Sequence, residues 1–259
     1  MIIDNFLGVL SGALIGLIMG LVGGGGSIIA VPLLLYVVGV PSVHAAIGTS
    51  AVAVSLNALG NLGVASRRGL VKWRCAMVFS AAGIAGSFLG SSLALHISGA
   101  KVLALFGGLM LIVGTVMLLR KNAEGDPDIR LNLATARHML PWLISIGLAV
   151  GFLAGFFGIG GGFLIVPGLM LATGMPITYA IGTSLVAITI FGAATASNYA
   201  LAGEVLWRVV ALFVAGGVLG SVLGQWLSNK LVDYKKMLQN IFAAFVIAVG
   251  VYTIYKGLP

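Results

Sequence analysis

The sequence predicts an all-α polytopic membrane protein made of two repeated helical halves, with broken or re-entrant helices meeting at the membrane midplane. Three observations predict it. Of 259 residues, 60% are apolar and only 8% are charged, against about 25% charged in a soluble domain. Two long stretches, 5–66 and 139–203, contain no Asp, Glu, Lys or Arg. The second half then repeats the motifs of the first in the same order.

The composition also excludes whole classes of function. Fourteen basic and six acidic residues cannot make the surface of a soluble enzyme, and disorder needs low hydrophobicity. The net charge of +8 comes from basic residues between apolar runs, where they orient a chain in the bilayer, so no nucleic-acid partner is expected. Cys75 is the single cysteine, which rules out an internal disulfide and a cysteine metal site. No cofactor and no metal are expected. Glycine, at 39 residues, is about twice its ordinary share of roughly 7%, which suits helices that approach closely in lipid.

The elements follow from the charge-free stretches. At about 1.5 Å per helical residue, each long stretch covers about 90 Å, or three crossings of a 30 Å core. Residues 75–100 and 102–119 follow the first, and 209–229 and 237–255 follow the second; each is charge-free and fits one helix. The N-terminal apolar run has no basic segment before it and runs past the length of a signal peptide, so it is expected to be a retained first helix. The hydrophilic segment 120–138 is the linker, giving a first transmembrane repeat over 1–119 and a second over 139–259.

The duplication is explicit. GLVGGGGSIIAVP at 20–32 aligns with GFFGIGGGFLIVP at 155–167, and AIGTS at 46–50 recurs at 180–184. Gly69 with Trp73-Arg74 recurs as Gly203 with Trp207-Arg208, GSFLG at 86–90 as GSVLG at 220–224, and Lys101 as Lys235. Both long stretches are interrupted inside, by Gly23–Gly26, Pro32 and Gly39–Pro41 in the first and by Gly158–Gly162, Pro167 and Gly174–Pro176 in the second. Glycine runs and prolines end helices. In lipid, broken backbone survives only where protein or a water-filled cavity surrounds it, and matched breaks in two halves point to a transporter binding site.

The glycine-rich break with its following proline, the AxGTS-type segment and the basic loop RRGLVKWR at 67–74 together resemble the sulfite exporter TauE/SafE family of bacterial membrane proteins, over nearly the whole chain. The resemblance implies export of a small sulfur-containing anion such as sulfite, a sulfonate or sulfoacetate, from a multi-pass position in the bacterial inner membrane. It does not identify the anion.

Loop 67–74, with Arg67, Arg68, Lys72 and Arg74, and linker 120–138, with Arg120, Lys121, Arg130 and Arg137, are separated by two helices and so share a side. The positive-inside rule makes that side cytoplasmic. Inverted halves would put eleven of the fourteen basic residues inside and parallel halves ten, so charge barely decides. Five crossings per half is an odd number, which forces inversion, and inverted repeats are expected.

The candidate binding residues are Gly23, Gly24, Gly25, Gly26 and Ser27 in the first break and Gly158, Gly160, Gly161 and Gly162 in the second. A helix is expected to begin after each run, and a helix N-terminus offers free N–H donors and about half a positive charge to an anion. Close helix packing is the competing explanation. The hydroxyls of Thr49, Ser50, Thr183 and Ser184 could donate to an oxyanion or bond back to their own helices. Asn57 and Asn61, one turn apart, align with Phe191 and Thr195, with Asn198 nearby; an amide in a membrane helix is costly unless paired, so these serve as ligand contacts or as glue between helices. His44 could carry a proton or sit at a helix start. Arg67 and Arg68 gather anions or set orientation, and Trp73-Arg74 and Trp207-Arg208 read as interface anchors.

All six acids, Asp4, Glu124, Asp126, Asp128, Glu204 and Asp233, lie at ends or in loops. A carboxylate-based coupling site in the span is therefore not expected. The sequence reads as an electrogenic exporter of a small anion and not as an enzyme; a Ser27–His44 dyad has nothing to fix its histidine. An anion channel, or a proton-coupled carrier of a different small solute, is the alternative. The oligomeric state is open.

Overall fold

The computed structural model describes residues 2–22, 24–119, 133–158, 162–230 and 235–257. The described residues are helical throughout, with short turns and no strand. The first half contains α1 (Ile2–Val22), a 3-10 helix (Gly24–Ile29), α2 (Ala30–Tyr36), α3 (Val43–Arg67), α4 (Trp73–Leu95) and α5 (Gly99–Leu119). The second contains α6 (Leu133–Phe157), α7 (Gly162–Thr173), α8 (Ile177–Leu201), α9 (Trp207–Lys230) and α10 (Lys235–Gly257). Seven of these helices are long and apolar enough to cross a membrane. Helix α6 starts at Leu133, so Arg137 and His138, at the end of the hydrophilic segment, are already helical.

Boundaries come from caps and glycines. Helix α3 opens on Ser42, whose hydroxyl accepts from the Ala45 N–H at 3.3 Å. It closes on Gly69, at φ +69°, with the Leu70 N–H donating to the Ala65 carbonyl at 3.1 Å. Helix α8 closes identically, on Gly203 at φ +76°, with Glu204 N–H donating to Tyr199 O at 2.8 Å. This is the left-handed helix stop that glycine adopts without steric cost.

The abundance of glycine is explained by two helix pairs. Gly12, Gly16 and Gly20 of α1 press against Phe213, Gly217 and Gly224 on α9. Gly147, Gly151 and Gly155 of α6 press in the same manner against Phe79, Gly83 and Ser87 on α4. A Cβ at Gly16 would land on the Gly217 carbonyl oxygen, and one at Gly155 on that of Ser87. Without a hydrophobic force between helices in lipid, such close backbone packing is what holds them together.

The matched residues also give directions. Numbers rise together along α1 and α9 and along α4 and α6, so each pair is parallel. Helices α5 and α10 are antiparallel, since Gly107 meets Gly250 and Gly114 meets Ala243. Helices α3 and α8 are antiparallel too, with Gly192 against Ala51 and Ser55 while Gly48 meets Tyr199. These two are the most enclosed spans, 67% and 56% buried against 33% for α5. They form the centre. Large apolar side chains on the outer helices, such as Leu119, Leu219 and Ile241, face outward, as a lipid-facing surface requires.

Candidate functional site

The two AIGTS segments sit on α3 and α8, and each is used as one device. Its glycine lets a loop of the opposite half approach: a Cβ at Gly48 would strike the Glu204 carbonyl oxygen, and one at Gly182 would meet that of Leu70. Its threonine takes an N–H from the same loop. Thr49 Oγ1 accepts from Leu206 N–H at 3.1 Å, and Thr183 Oγ1 accepts from Lys72 N–H at 3.0 Å. Leu206 and Lys72 each precede the first residue of a helix, α9 and α4, where N–H groups lack helical partners. Its serine bonds back to the carbonyl three residues earlier, and in the first half it also reaches a glycine break. Ser50 Oγ lies 2.8 Å from Ile47 O and 2.9 Å from Gly158 O, the residue that ends α6. Ser184 Oγ bonds Ile181 O at 2.8 Å. All four side chains are fully buried.

The breaks differ from the expectation in one respect. After the second glycine run an α-helix does begin, α7 at Gly162. In the first half the glycines Gly24, Gly25 and Gly26 are themselves wound into the 3-10 helix, and α2 begins only at Ala30. At Gly26 packing leaves no space for a side chain: a Cβ there would strike Met19 of α1. The 3-10 helix and α7 nonetheless touch across the two halves. Ser27 is fully buried. Gly23, Gly160 and Gly161 lie outside the described residues.

The amides divide. Between α8 of the second half and α4 of the first, the polar groups pair with one another. Ser87 Oγ donates to Phe191 O at 3.0 Å and lies 2.9 Å from Thr195 Oγ1. Asn198 Nδ2 reaches Ser91 Oγ at 2.7 Å, Ser92 Oγ at 3.0 Å and Phe88 O at 3.1 Å. Thr195 and Asn198 thus act as glue between helices. Between α3 of the first half and α9 of the second, Asn61 Oδ1 accepts from Gln225 Nε2 at 2.7 Å. The Asn61 Nδ2 and both polar atoms of Asn57 are buried without a partner.

At one end of α3, His44 stacks on Tyr199 with ring centroids 6.3 Å apart, and Ser42 Oγ approaches Glu204 Oε2 at 3.5 Å. At the corresponding end of α8, Lys72 Nζ lies 4.4 Å over the Tyr179 ring. Arg67 and Arg68 are exposed, as are Trp73 and Trp207 at the starts of α4 and α9. Ser87, Ser91, Tyr199 and Gln225 escaped the sequence reading. The spacing of four between Ser87 and Ser91, repeated as Ser221 and Gln225, is the signal that marks them.

Among the described residues, the buried hydrogen-bonding side chains other than tyrosine and Cys75 are those of serine, threonine and asparagine, and no cluster of His, Cys, Asp or Glu could hold a metal. The interior is therefore neutral and rich in hydrogen-bonding groups.

The comparisons agree with this architecture. Relatives include a probable membrane transporter protein of Xylella fastidiosa, 47% identical over 95% of this chain and 94% of its own length. Another is the probable membrane transporter protein YunE of Bacillus subtilis, 26% identical over 96% of this chain and 97% of its own. A third, MJ0441 of Methanocaldococcus jannaschii, also a probable membrane transporter protein, is 24% identical over 68% of this chain and 65% of its own. No solved structure matches. Residues 8–253 match the family described as sulfite exporter TauE/SafE, and on that near-complete match this multi-pass membrane protein belongs to the TauE/SafE family.

Proposed function

We propose that this membrane transporter carries a small sulfur-containing oxyanion, sulfite or a sulfonate such as sulfoacetate, out of the cell across a bacterial inner membrane, and that the membrane potential drives it. The observation that carries this reading is the neutral interior. Buried hydroxyls and amides can replace the hydration shell of an oxyanion, while no buried Asp or Glu is present among the described residues to repel it. A monoanion leaving a cell that is negative inside gains about 2.3 kcal/mol per 100 mV, equivalent to about a 50-fold concentration ratio. No coupled ion is needed for that. The family's description supports sulfite as the first cargo to test.

Inverted halves belong to the same reading. A two-fold axis along the membrane normal would leave equivalent helices parallel, whereas one in the membrane plane makes them antiparallel. The antiparallel courses of α3 against α8 and α5 against α10 support the second.

Purified protein in proteoliposomes tests the mechanism. With the potential set by potassium and valinomycin, sulfite flux should rise with the potential and saturate far below channel rates. Flux that follows an imposed pH gradient at zero potential would instead support proton coupling. Ser42, His44, Tyr199 and Glu204, gathered at one end of α3, are the groups that favour this second reading.

A further inference from the structure

Two equivalent trios of helices, α1, α3 and α9 and α6, α8 and α4, each drawn from both halves, surround corresponding glycines and fill the space differently. Gly217 of α9 is met by Gly16 of α1 on one side and by the Asn57 amide of α3 on the other. Its counterpart, Gly83 of α4, is met by Gly151 of α6 and by the Phe191 ring of α8. A Cβ on Gly217 would collide with the Asn57 amide, and one on Gly83 with the Phe191 ring. Each glycine therefore exists to admit one side chain from the central helix. In the second trio that side chain is an apolar ring that fills the slot. In the first it is a smaller amide.

The amide is not used by the fold. Asn57 is 3% exposed, and neither its Nδ2 nor its Oδ1 has a partner. A buried amide left unpaired costs about 1–3 kcal/mol, and an apolar group was available at the equivalent position. One turn along α3, Asn61 is 8% exposed. Gln225 engages its Oδ1, which in this orientation of the amides leaves its Nδ2 free on the same side of the helix. The equivalent of Asn61, Thr195, is paired with Ser87. Asn57 also lies about 3 Å from the midpoint of α3 along its axis, at the depth where transporters of two repeated halves hold their cargo.

We propose that the anion is held at one place only, in a subsite between α3 of the first half and α9 of the second, where Asn57 Nδ2 and Asn61 Nδ2 donate to its oxygens. The proposal rests on the anion reading above and assigns that cargo its polar contacts. Gln225 is a positioning residue, holding Asn61 by its oxygen so that its N–H groups face the ligand. The second trio, with Phe191 in the matching slot, supplies a wall and no second subsite.

Asn57→Leu is the decisive variant. Leucine is close to asparagine in size and has no donors, so it removes an unpaired buried amide along with the proposed contact. Loss of an unpaired amide leaves the fold as stable or more so. Thermal unfolding of the full chain in detergent is followed with sulfite, thiosulfate, sulfoacetate and sulfate, against chloride at equal ionic strength. At least one sulfur anion should stabilise the wild type. Asn57→Leu should unfold at or above the wild-type temperature without anion, and need at least tenfold more anion for half of the shift. Asn57→Phe, which copies the residue the second half accommodates at this position, should behave alike and serves if Asn57→Leu does not fold. If both variants respond to the anion as the wild type does, an internal water or nothing occupies the slot; the subsite falls and the transport reading stands. If no sulfur anion stabilises the wild type, both fall.

Discussion

Thr49 and Thr183 occupy the same place in the two halves, and each hydroxyl accepts an N–H from the residue that precedes a helix of the opposite half. Replacing either by valine keeps the shape and strands that N–H, at a cost of about 1–3 kcal/mol. Thr49→Val and Thr183→Val should each lower the unfolding temperature in detergent, and Thr49→Ser and Thr183→Ser should restore most of it. If valine and serine are equivalent, the hydroxyl is not the clamp. Ser50 differs in kind, because its oxygen lies within reach of both Ile47 O and Gly158 O and joins the centre of one half to the break of the other. Ser50→Ala leaves the described fold otherwise intact and should slow transport more than it lowers stability, as measured by sulfite flux alongside thermal unfolding. The repeat made these positions visible in sequence. Which hydroxyls bind backbone and which are left over was not visible, because Thr195 and Asn61 align yet find different neighbours, Ser87 on α4 and Gln225 on α9.

Helix by helix, glycines sort into two kinds that composition cannot tell apart. Gly16 and Gly151 lie at crossings where any Cβ strikes the backbone of α9 or α4. Gly63 and Gly108 lie on open faces with no atom within 4 Å of a Cβ. Gly16→Leu and Gly151→Leu should abolish the folded peak in size-exclusion chromatography. Gly63→Ala and Gly108→Ala should instead raise stability by about 0.5–1 kcal/mol, the helix cost of glycine. A drop in stability for the second pair would mean that these faces are covered in the membrane by a partner. At this scale the helix positions were legible from charge-free runs, since apolar length is what a bilayer selects. The state of the first glycine run was not legible. Four consecutive glycines read as a break, yet Gly24–Gly26 wind into a 3-10 helix, and at Gly26 the contact with Met19 on α1 leaves no room for a side chain.

At the scale of the whole molecule, the directions of the helices support the inverted halves proposed above, which the basic residues barely favour. Helix α1 runs parallel to α9, and α3 runs antiparallel to α8. Short turns make α8 antiparallel to α9, so α1 and α3 share a direction and the segment 24–36 between them must return. The same reasoning applied to α6, α7 and α8 gives the opposite sense throughout. In the proposed inverted arrangement the loop after α3 and the loop after α8, which close on Gly69 and Gly203, face opposite sides of the membrane. Arg68 and Ala202 hold matching positions in these loops and are both exposed, while Cys75 is buried. In a Cys75→Ser background, Arg68→Cys and Ala202→Cys can therefore be labelled separately with a membrane-impermeant maleimide. Inverted halves require that intact cells label Ala202→Cys and protect Arg68→Cys until the membrane is permeabilised, with the basic loop inside. Labelling of both from one side would mean parallel halves, and a transport cycle in which the ends of α3 and α8 cannot serve as gates on opposite faces. With opposite faces, the outer gate carries His44 and Glu204 and the inner one Lys72 with its neighbouring arginines. For the anion proposed above, the positive charge at the inner end raises the rate of access there and the carboxylate at the outer end lowers it, a difference that weakens as salt screens the exposed groups.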